Sequence, residues 1–417
     1  MGPVRELQLW VLPNNGYDTV PTMREHLAPF RREHPGLGLG IWVRTEESMW
    51  RHLFRLLKNP RQKPRPDLVQ IPSHWTGTFA RLGLLQELGA LDPALDLSRW
   101  PAALRDHCRA GEGGNVYSLP WWIGVRVLYY RKDALRRAGV DPVSDLGDWE
   151  GLRGACRRLA AKWKSSTGRT HPVANPNPRE SISLRDVAPC VWGRGGDFFA
   201  SDGSRSLLQR EASFRGVVDY FDLVRNGWMP LKGPSGLAPR DLFDGSAAMQ
   251  ISGRLPRGLP GRAVARRAAE RAREELGAVP YPNAGGRTLL TSQNLAIPAD
   301  SQLPRESFAL LRELAFGVSG ASYAAAIGAL PSTERGTDEA LQGYPALERA
   351  FRNSLDRARM LPSIGSFGTL EKVFDRTMDR LVQEVVGGRC DERSMREELI
   401  HAGAEIDYIL SLSGDGA

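Results

Sequence analysis

Cysteine is scarce: the 417 residues contain four, Cys108, Cys156, Cys190 and Cys390, far apart and with no C-x-x-C pair. That removes zinc-ribbon and thioredoxin-like sites, and it leaves four buried thiols as the favoured state, with two disulfides as the alternative if the protein is exported. Long apolar runs are absent too, since nothing approaches the roughly 18 consecutive residues of a membrane helix. The N-terminal MGPVRELQLWVLP has no basic leader, long apolar stretch, small-residue cleavage site or lipobox cysteine. The expectation is therefore a chain already trimmed to its mature form or one retained inside the cell.

Catalytic signatures are missing as well. There is no phosphate loop of the G-x-x-x-x-G-K-[ST] type, no H-E-x-x-H, no G-x-S-x-G elbow and no acidic calcium loop. Gly36, Gly38 and Gly40 lack the dinucleotide spacing and precede a strand instead of following one. The seven histidines are dispersed, and only His74 stands beside a candidate cleft residue. A lone histidine at a helix start is more often a cap or surface group than a ligand. Neither a cofactor nor a metal is expected.

What is present describes a folded protein of roughly two domains of about 150 to 250 residues each, with 41% apolar and 25% charged residues. The formal charge of +8 is dispersed. Its densest stretch, Arg262 to Arg273, runs directly into Glu274 and Glu275, so a solvated helix face is preferred over a phosphate-tracking surface. No nucleic-acid partner is expected.

Along the first third, Leu7 to Leu12, Leu39 to Val43 and Asp67 to Ile71 read as strands. Helical spacing over Val20 to Glu33, Glu46 to Lys58 and Trp75 to Leu85 separates or follows them. This alternation predicts parallel crossovers and an α/β sheet covered on both faces. Val116 to Tyr130 is too long for one strand and contains Pro120 and Gly124, as a strand that bends between two lobes would. Helices are then expected at Trp149 to Trp163, Phe214 to Arg225 and Gly258 to Leu276. Strands follow at Gly277 to Tyr281 and Asn294 to Pro298, with helices to Leu412.

Tryptophans mark the candidate site. Trp75 follows the third strand, Trp121 and Trp122 sit at the bend, and Trp192 precedes the turn Gly193 to Asp197. Open α/β sheets bind ligands at strand carboxyl ends. There an indole face can stack on the C–H face of a pyranose while Asn, Gln, Asp and Arg bond its hydroxyls. Trp149 and Trp163 read as packing residues.

Beyond these residues the chain resembles a known family. LPWWIGVRVLYYRKDALRRAGVDP with DWEGLRGACRRLA is similar to the crossover-strand region of family 1 extracellular solute-binding proteins, the sugar-binding components of bacterial ABC importers. RPDLVQIPSHWTGTFARLGLLQEL, DLFDGSAAMQISGR, LGAVPYPNAGGRTLLTSQNLAIPADSQLPRESFALLREL and IGALPST resemble further segments in the family's order. The resemblance implies a two-lobed periplasmic-binding-protein-like fold of type II, each lobe a mainly parallel sheet flanked by helices. It implies three crossings, near Trp122 to Val125, Leu290 to Gln293 and Ile327 to Leu330. The lobes would be residues 1–122 with 294–327, and 123–293 with 328–417, holding the ligand in a cleft between them.

By position, the resemblance places ligand contacts at Asn14, Asn15, His74, Trp75, Trp121, Trp122, Arg126, Trp192, Asp197, Ser252, Gly253, Arg254, Gln293 and Asn294. Arg126 and Arg254 are equally readable as structural ion-pair partners, and two arginines near a cleft also suit an acidic or phosphorylated ligand. The expected protein is a non-catalytic monomer that closes on a small polar ligand, a sugar or oligosaccharide, and delivers it to ABC permease subunits. The family is normally extracytoplasmic. The alternatives are an intracellular sensor on the same scaffold and a carbohydrate-active enzyme; the latter needs paired carboxylates, for which Asp18 and Asp197 offer no motif.

Overall fold

The computed structural model describes residues 5–14, 18–59, 63–111, 113–163, 170–175, 182–200, 203–231, 242, 245–255, 274–283, 285–342 and 344–413. Asn15, the basic run Arg262 to Arg273 and most of the helix expected over Gly258 to Leu276 lie outside them. The chain divides into two compact units. Unit 1 comprises Met1–Gly124, Thr291–Ala340 and Leu361–Phe367; unit 2 comprises Val125–Leu290, Leu341–Met360 and Gly368–Ala417.

In chain order the strands are β1 (Arg5–Val11), β2 (Leu37–Val43), β3 (Leu68–Pro72), β4 (Arg109–Ala110), β5 (Asn115–Val116), β6 (Ser118–Val125) and β7 (Val127–Arg131). β8 (His171–Ala174), β9 (Ala247–Ser252), β10 (Leu276–Pro280), β11 (Thr288–Ala296), β12 (Leu330–Pro331) and β13 (Ala358–Arg359) follow. The sheet of unit 1 has the order β12-β6-β11-β3-β1-β2. β1 pairs in parallel with β2 and β3, as the strand–helix alternation predicts. Beneath it Trp10, Leu12, Val69, Ile71, Trp75 and Phe79 pack with Met49 and Leu53 from the helix Glu46–Lys58. That helix starts where the Thr45 hydroxyl accepts the Ser48 N–H at 3.2 Å, with Glu46 and Glu47 favourably placed in its first turn.

Two features of the sheets differ from the sequence expectation. Neither is mainly parallel throughout: β3 and β11 run antiparallel, as do β12 and β6. Within the four-stranded sheet of unit 2, ordered β10-β7-β9-β8, β8 and β9 are parallel and the other two pairings antiparallel. The partners of β7 are the distant segments β9 and β10, which meet it antiparallel through long-range pairing, where the sequence carries no signal of direction. The other difference concerns Ile327 to Leu330, where the chain stays in unit 1 as far as Ala340. Leu330 and Pro331 pair with Ile123 and Trp122, and the Ser332 hydroxyl donates to the Pro120 carbonyl (2.8 Å) while accepting from Trp100 Nε1 (2.9 Å).

Unit 1 also recovers seven later residues, Leu361–Phe367. Gly77 N–H donates to Ser363 Oγ at 3.3 Å, and Phe367 is fully buried with its ring 5.1 Å from that of His74. All four cysteines are free thiols, three of them buried. Burial pushes the Cys108, Cys156 and Cys190 thiols well above their ordinary range, so they act as small apolar groups.

Candidate functional site

In unit 1 the polar groups at the carboxyl ends of β1 and β3 form one chain of amides. Gln70 is the only polar side chain of β3, a strand buried along its whole length. Its Oε1 accepts the backbone N–H of Leu12 at 3.1 Å, and because a backbone N–H only donates, this bond fixes which end of the amide is oxygen. The rest follows. Asn14 Nδ2 donates to the same oxygen at 2.8 Å, and Gln70 Nε2 returns a bond to Asn14 Oδ1 at 2.8 Å. Gln70 Nε2 also donates to Gln293 Oε1 at 3.0 Å.

Gln293 is thereby turned with its oxygen inward and its NH2 group, which has no partner among the described residues, directed away from Gln70. Asn14 also donates to the Tyr323 hydroxyl at 3.2 Å, and Trp121 stacks on the Tyr323 ring at 5.1 Å and 14°. Reciprocal bonds of this kind between buried amides fix one geometry for Asn14 and Gln70.

The other residues expected in unit 1 divide between packing and the site's margin. Trp75 is a core residue, 3% exposed and in edge contact with Trp50 and Phe79, so it offers no stacking face. It lies in the 3-10 turn Ser73–Trp75, whose geometry aims the ring under the sheet. Asn294 is likewise internal, since alternation along β11 sends it away from Gln293; it donates to Ser118 Oγ at 2.9 Å and accepts from Ser292 Oγ at 2.7 Å. His74 is buried between the Trp75 and Phe367 rings. Trp121 and Trp122 point to opposite faces of β6, both buried.

Unit 2 handles polarity with charge. Arg126 Nη1 donates to Asp186 Oδ1 at 2.9 Å, and the carboxylate is almost wholly inaccessible. Asp186 is also the third residue of the helix Leu184–Gly193, where its Oδ2 accepts the Ser183 N–H (2.9 Å) and hydroxyl (2.7 Å) in a capping box. Burial alone would push this carboxyl up, but the Arg126 charge and the two Ser183 bonds outweigh it and hold it below the usual carboxylate range. Of the two roles open to Arg126, the structure gives it the ion pair.

The turn after that helix carries Trp192 and Asp197. Gly195 has φ +77°, and a Cβ on Gly196 would sit 2.6 Å from the Ser213 nitrogen, so the turn demands both glycines. Trp192 Nε1 donates to Asp197 Oδ1 at 3.2 Å, and the guanidinium carbon of Arg359 lies 4.8 Å from the Trp192 ring centre. Arg359 Nη2 reaches Asp197 Oδ2 at 2.7 Å. Trp192, 2% exposed, is thus covered by a cation and is not an open platform. Ser252 is buried, its Oγ accepting Arg254 N–H at 3.2 Å, and the Arg254 carbonyl accepts from Tyr129 at 2.9 Å; Gly253 lies between them, with no positive φ.

Gln70, Tyr323, Asp186 and Arg359 were not in the set read from sequence. The solitary glutamine in LVQIP was a visible signal; the Arg359–Asp197 contact, 162 residues apart in sequence, had none.

A family model described as bacterial extracellular solute-binding protein matches residues 38–348. The chain belongs to this family. The mannitol-binding protein of Pseudomonas aeruginosa is 25% identical over 189 residues, 41% of this chain and 42% of that protein. The chain therefore aligns with less than half the length of this curated relative. Among solved structures, an ABC transporter solute-binding protein from Thermotoga lettingae bound with α-D-tagatose superposes with a TM-score of 0.78 at 17% identity, over 97% of this chain and 100% of that one. The GacH receptor of Streptomyces glaucescens, solved unliganded and with acarbose, gives 0.76 at 19% identity over 98% and 99%.

At such identities the structural likeness establishes the two-lobed α/β fold of periplasmic binding proteins. The relatives are binding proteins, and the family is extracellular. No helix among the described residues is long and apolar enough to cross a membrane.

Proposed function

We propose that this solute-binding protein captures a neutral sugar or polyol and hands it to an ABC-type importer. The observation that carries the choice of ligand is that Arg126 and Arg359 are already neutralised, by Asp186 and Asp197. An acid or phosphorylated ligand would need an unspent cation, whereas a polyol needs oriented donors and acceptors of no net charge. The amide chain of Asn14, Gln70 and Gln293 supplies these, with Trp122 as the aromatic wall. Relatives named for mannitol, tagatose and acarbose binding agree with this class.

Capture then proceeds by hinge closure of the two lobes on the ligand, with Asn14, Trp122, Gln293, Asp197, Ser252 and the backbone of Gly253 as contacts. The closed form is presented to permease subunits outside the cytoplasm. Binding and release of an unaltered solute are the whole cycle. A thermal-shift panel of neutral sugars, polyols, sugar acids and sugar phosphates tests this. A ligand at about 100 times its Kd adds roughly 2.7 kcal/mol to stability, so a neutral compound should raise the Tm by several degrees. A panel in which only acids or phosphates do so sinks the proposal.

A further inference from the structure

The geometry points to Arg359 and Asp197, backed by Trp192, as a neutral diol clamp: a specificity element that takes two adjacent hydroxyls of the ligand and rejects sugar acids. This rests on the neutral-polyol reading above. Asp197 Oδ1 is spent on Trp192 Nε1 (3.2 Å) and the Phe198 N–H (2.9 Å), while among the described residues Oδ2 accepts Arg359 Nη2 alone (2.7 Å), which leaves it one lone pair. Arg359 uses one N–H there, and its other guanidinium donors have no partner among the described residues. Both side chains are open to solvent, Arg359 by 39% and Asp197 by 34%. Their mutual position is fixed from behind by the Trp192 ring and by Ser213, whose Oγ accepts the Asp197 N–H at 3.2 Å and donates to its carbonyl at 2.7 Å.

The pair presents an outward donor next to an outward acceptor, with the charges cancelled. In a vicinal diol each hydroxyl both donates and accepts, so one oxygen can take an Arg359 N–H while its neighbour gives a proton to Asp197 Oδ2. A carboxylate or phosphate in the same place has no proton for Asp197 and meets its charge at short range, with little attraction left over from a guanidinium already paired. The indole supports the guanidinium and does not stack on the sugar, which is why Trp192 is buried although it belongs to the site.

The test is calorimetric titration of the full chain with D-mannitol, D-tagatose and maltose as neutral probes and D-gluconate as the anion. Wild type should bind at least one neutral probe and no gluconate. Arg359→Ala should weaken that probe at least about tenfold, with Tm held within about 3 °C because an exposed pair adds little stability. Arg359→Lys, which keeps the charge but not the planar fork, should weaken it comparably and guards against a folding defect in the alanine variant. Asp197→Asn should weaken the neutral probe and create measurable gluconate binding by releasing the guanidinium. Neutral affinity unchanged in both Arg359 variants, or no gain of gluconate in Asp197→Asn, overturns the clamp while leaving the proposed function standing. A wild type that binds none of the neutral probes overturns both.

Discussion

Unit 1 holds its site polar groups in place with neutral amides, whereas unit 2 uses ion pairs. The amides take their direction from one backbone N–H, that of Leu12, passed through Gln70 to Asn14 and Gln293. The ion pairs Arg126–Asp186 and Arg359–Asp197 take theirs from helix and turn termini, the Ser183 cap and the glycine turn before Asp197. Only the second arrangement depends on protonation, and only there does losing one partner leave a charge stranded.

The sharpest way to break the comparison is to strand that charge. Arg126→Met leaves Asp186 buried without a cation and should cost about 3–5 kcal/mol of stability. In unit 1, Gln70→Leu leaves the Leu12 N–H and two amides unmet and should cost about 2–3 kcal/mol. Urea unfolding of the two variants ranks them; a larger loss for Gln70→Leu would invert the contrast drawn between the units.

A binding measurement separates site from scaffold. Trp122→Ala should weaken the best ligand by about 2 kcal/mol. Trp75→Ala, which empties part of the core, should spare affinity in the folded fraction while lowering stability by about 3–5 kcal/mol. Equal affinity of wild type and Trp122→Ala would remove Trp122 from the site.

The smallest effect is on pH dependence. Asp186 has a folded-state pKa below its unfolded value of about 3.9. Its contribution is therefore fully present above about pH 4 and is lost as pH falls through the folded-state value. Unfolding followed from pH 5 to pH 2 should show a shallower acid loss in Asp186→Asn than in wild type, and an unchanged slope in Gln70→Leu. Identical slopes for wild type and Asp186→Asn would show that the pair is not what makes unit 2 acid-sensitive.

Much of this architecture was legible in the sequence, for identifiable reasons. The alternation of β1, β2 and β3 with helices carries a clear period, and the bent run over Val116 to Tyr130 appears as β6 and β7 broken at Arg126. Strand direction in unit 2 was not legible, because β7, β9 and β10 meet only through long-range pairing. For the proposed contacts, position along the chain was the guide to Asn14, Trp122, Gln293 and Asp197. It could not tell that Trp75 turns beneath the sheet or that alternation buries Asn294. Arg359 lay outside any motif, since its partner stands in a distant turn of the same unit.

The most direct test of the central claim is competition at one pH and ionic strength between neutral and charged ligands for the wild-type chain. D-mannitol, D-tagatose and maltose would be titrated against D-gluconate and glucose 6-phosphate. The account predicts saturable binding of at least one neutral compound, undisturbed by excess gluconate or glucose 6-phosphate. Saturable binding of a charged compound, with none of the neutral ones bound, would contradict it.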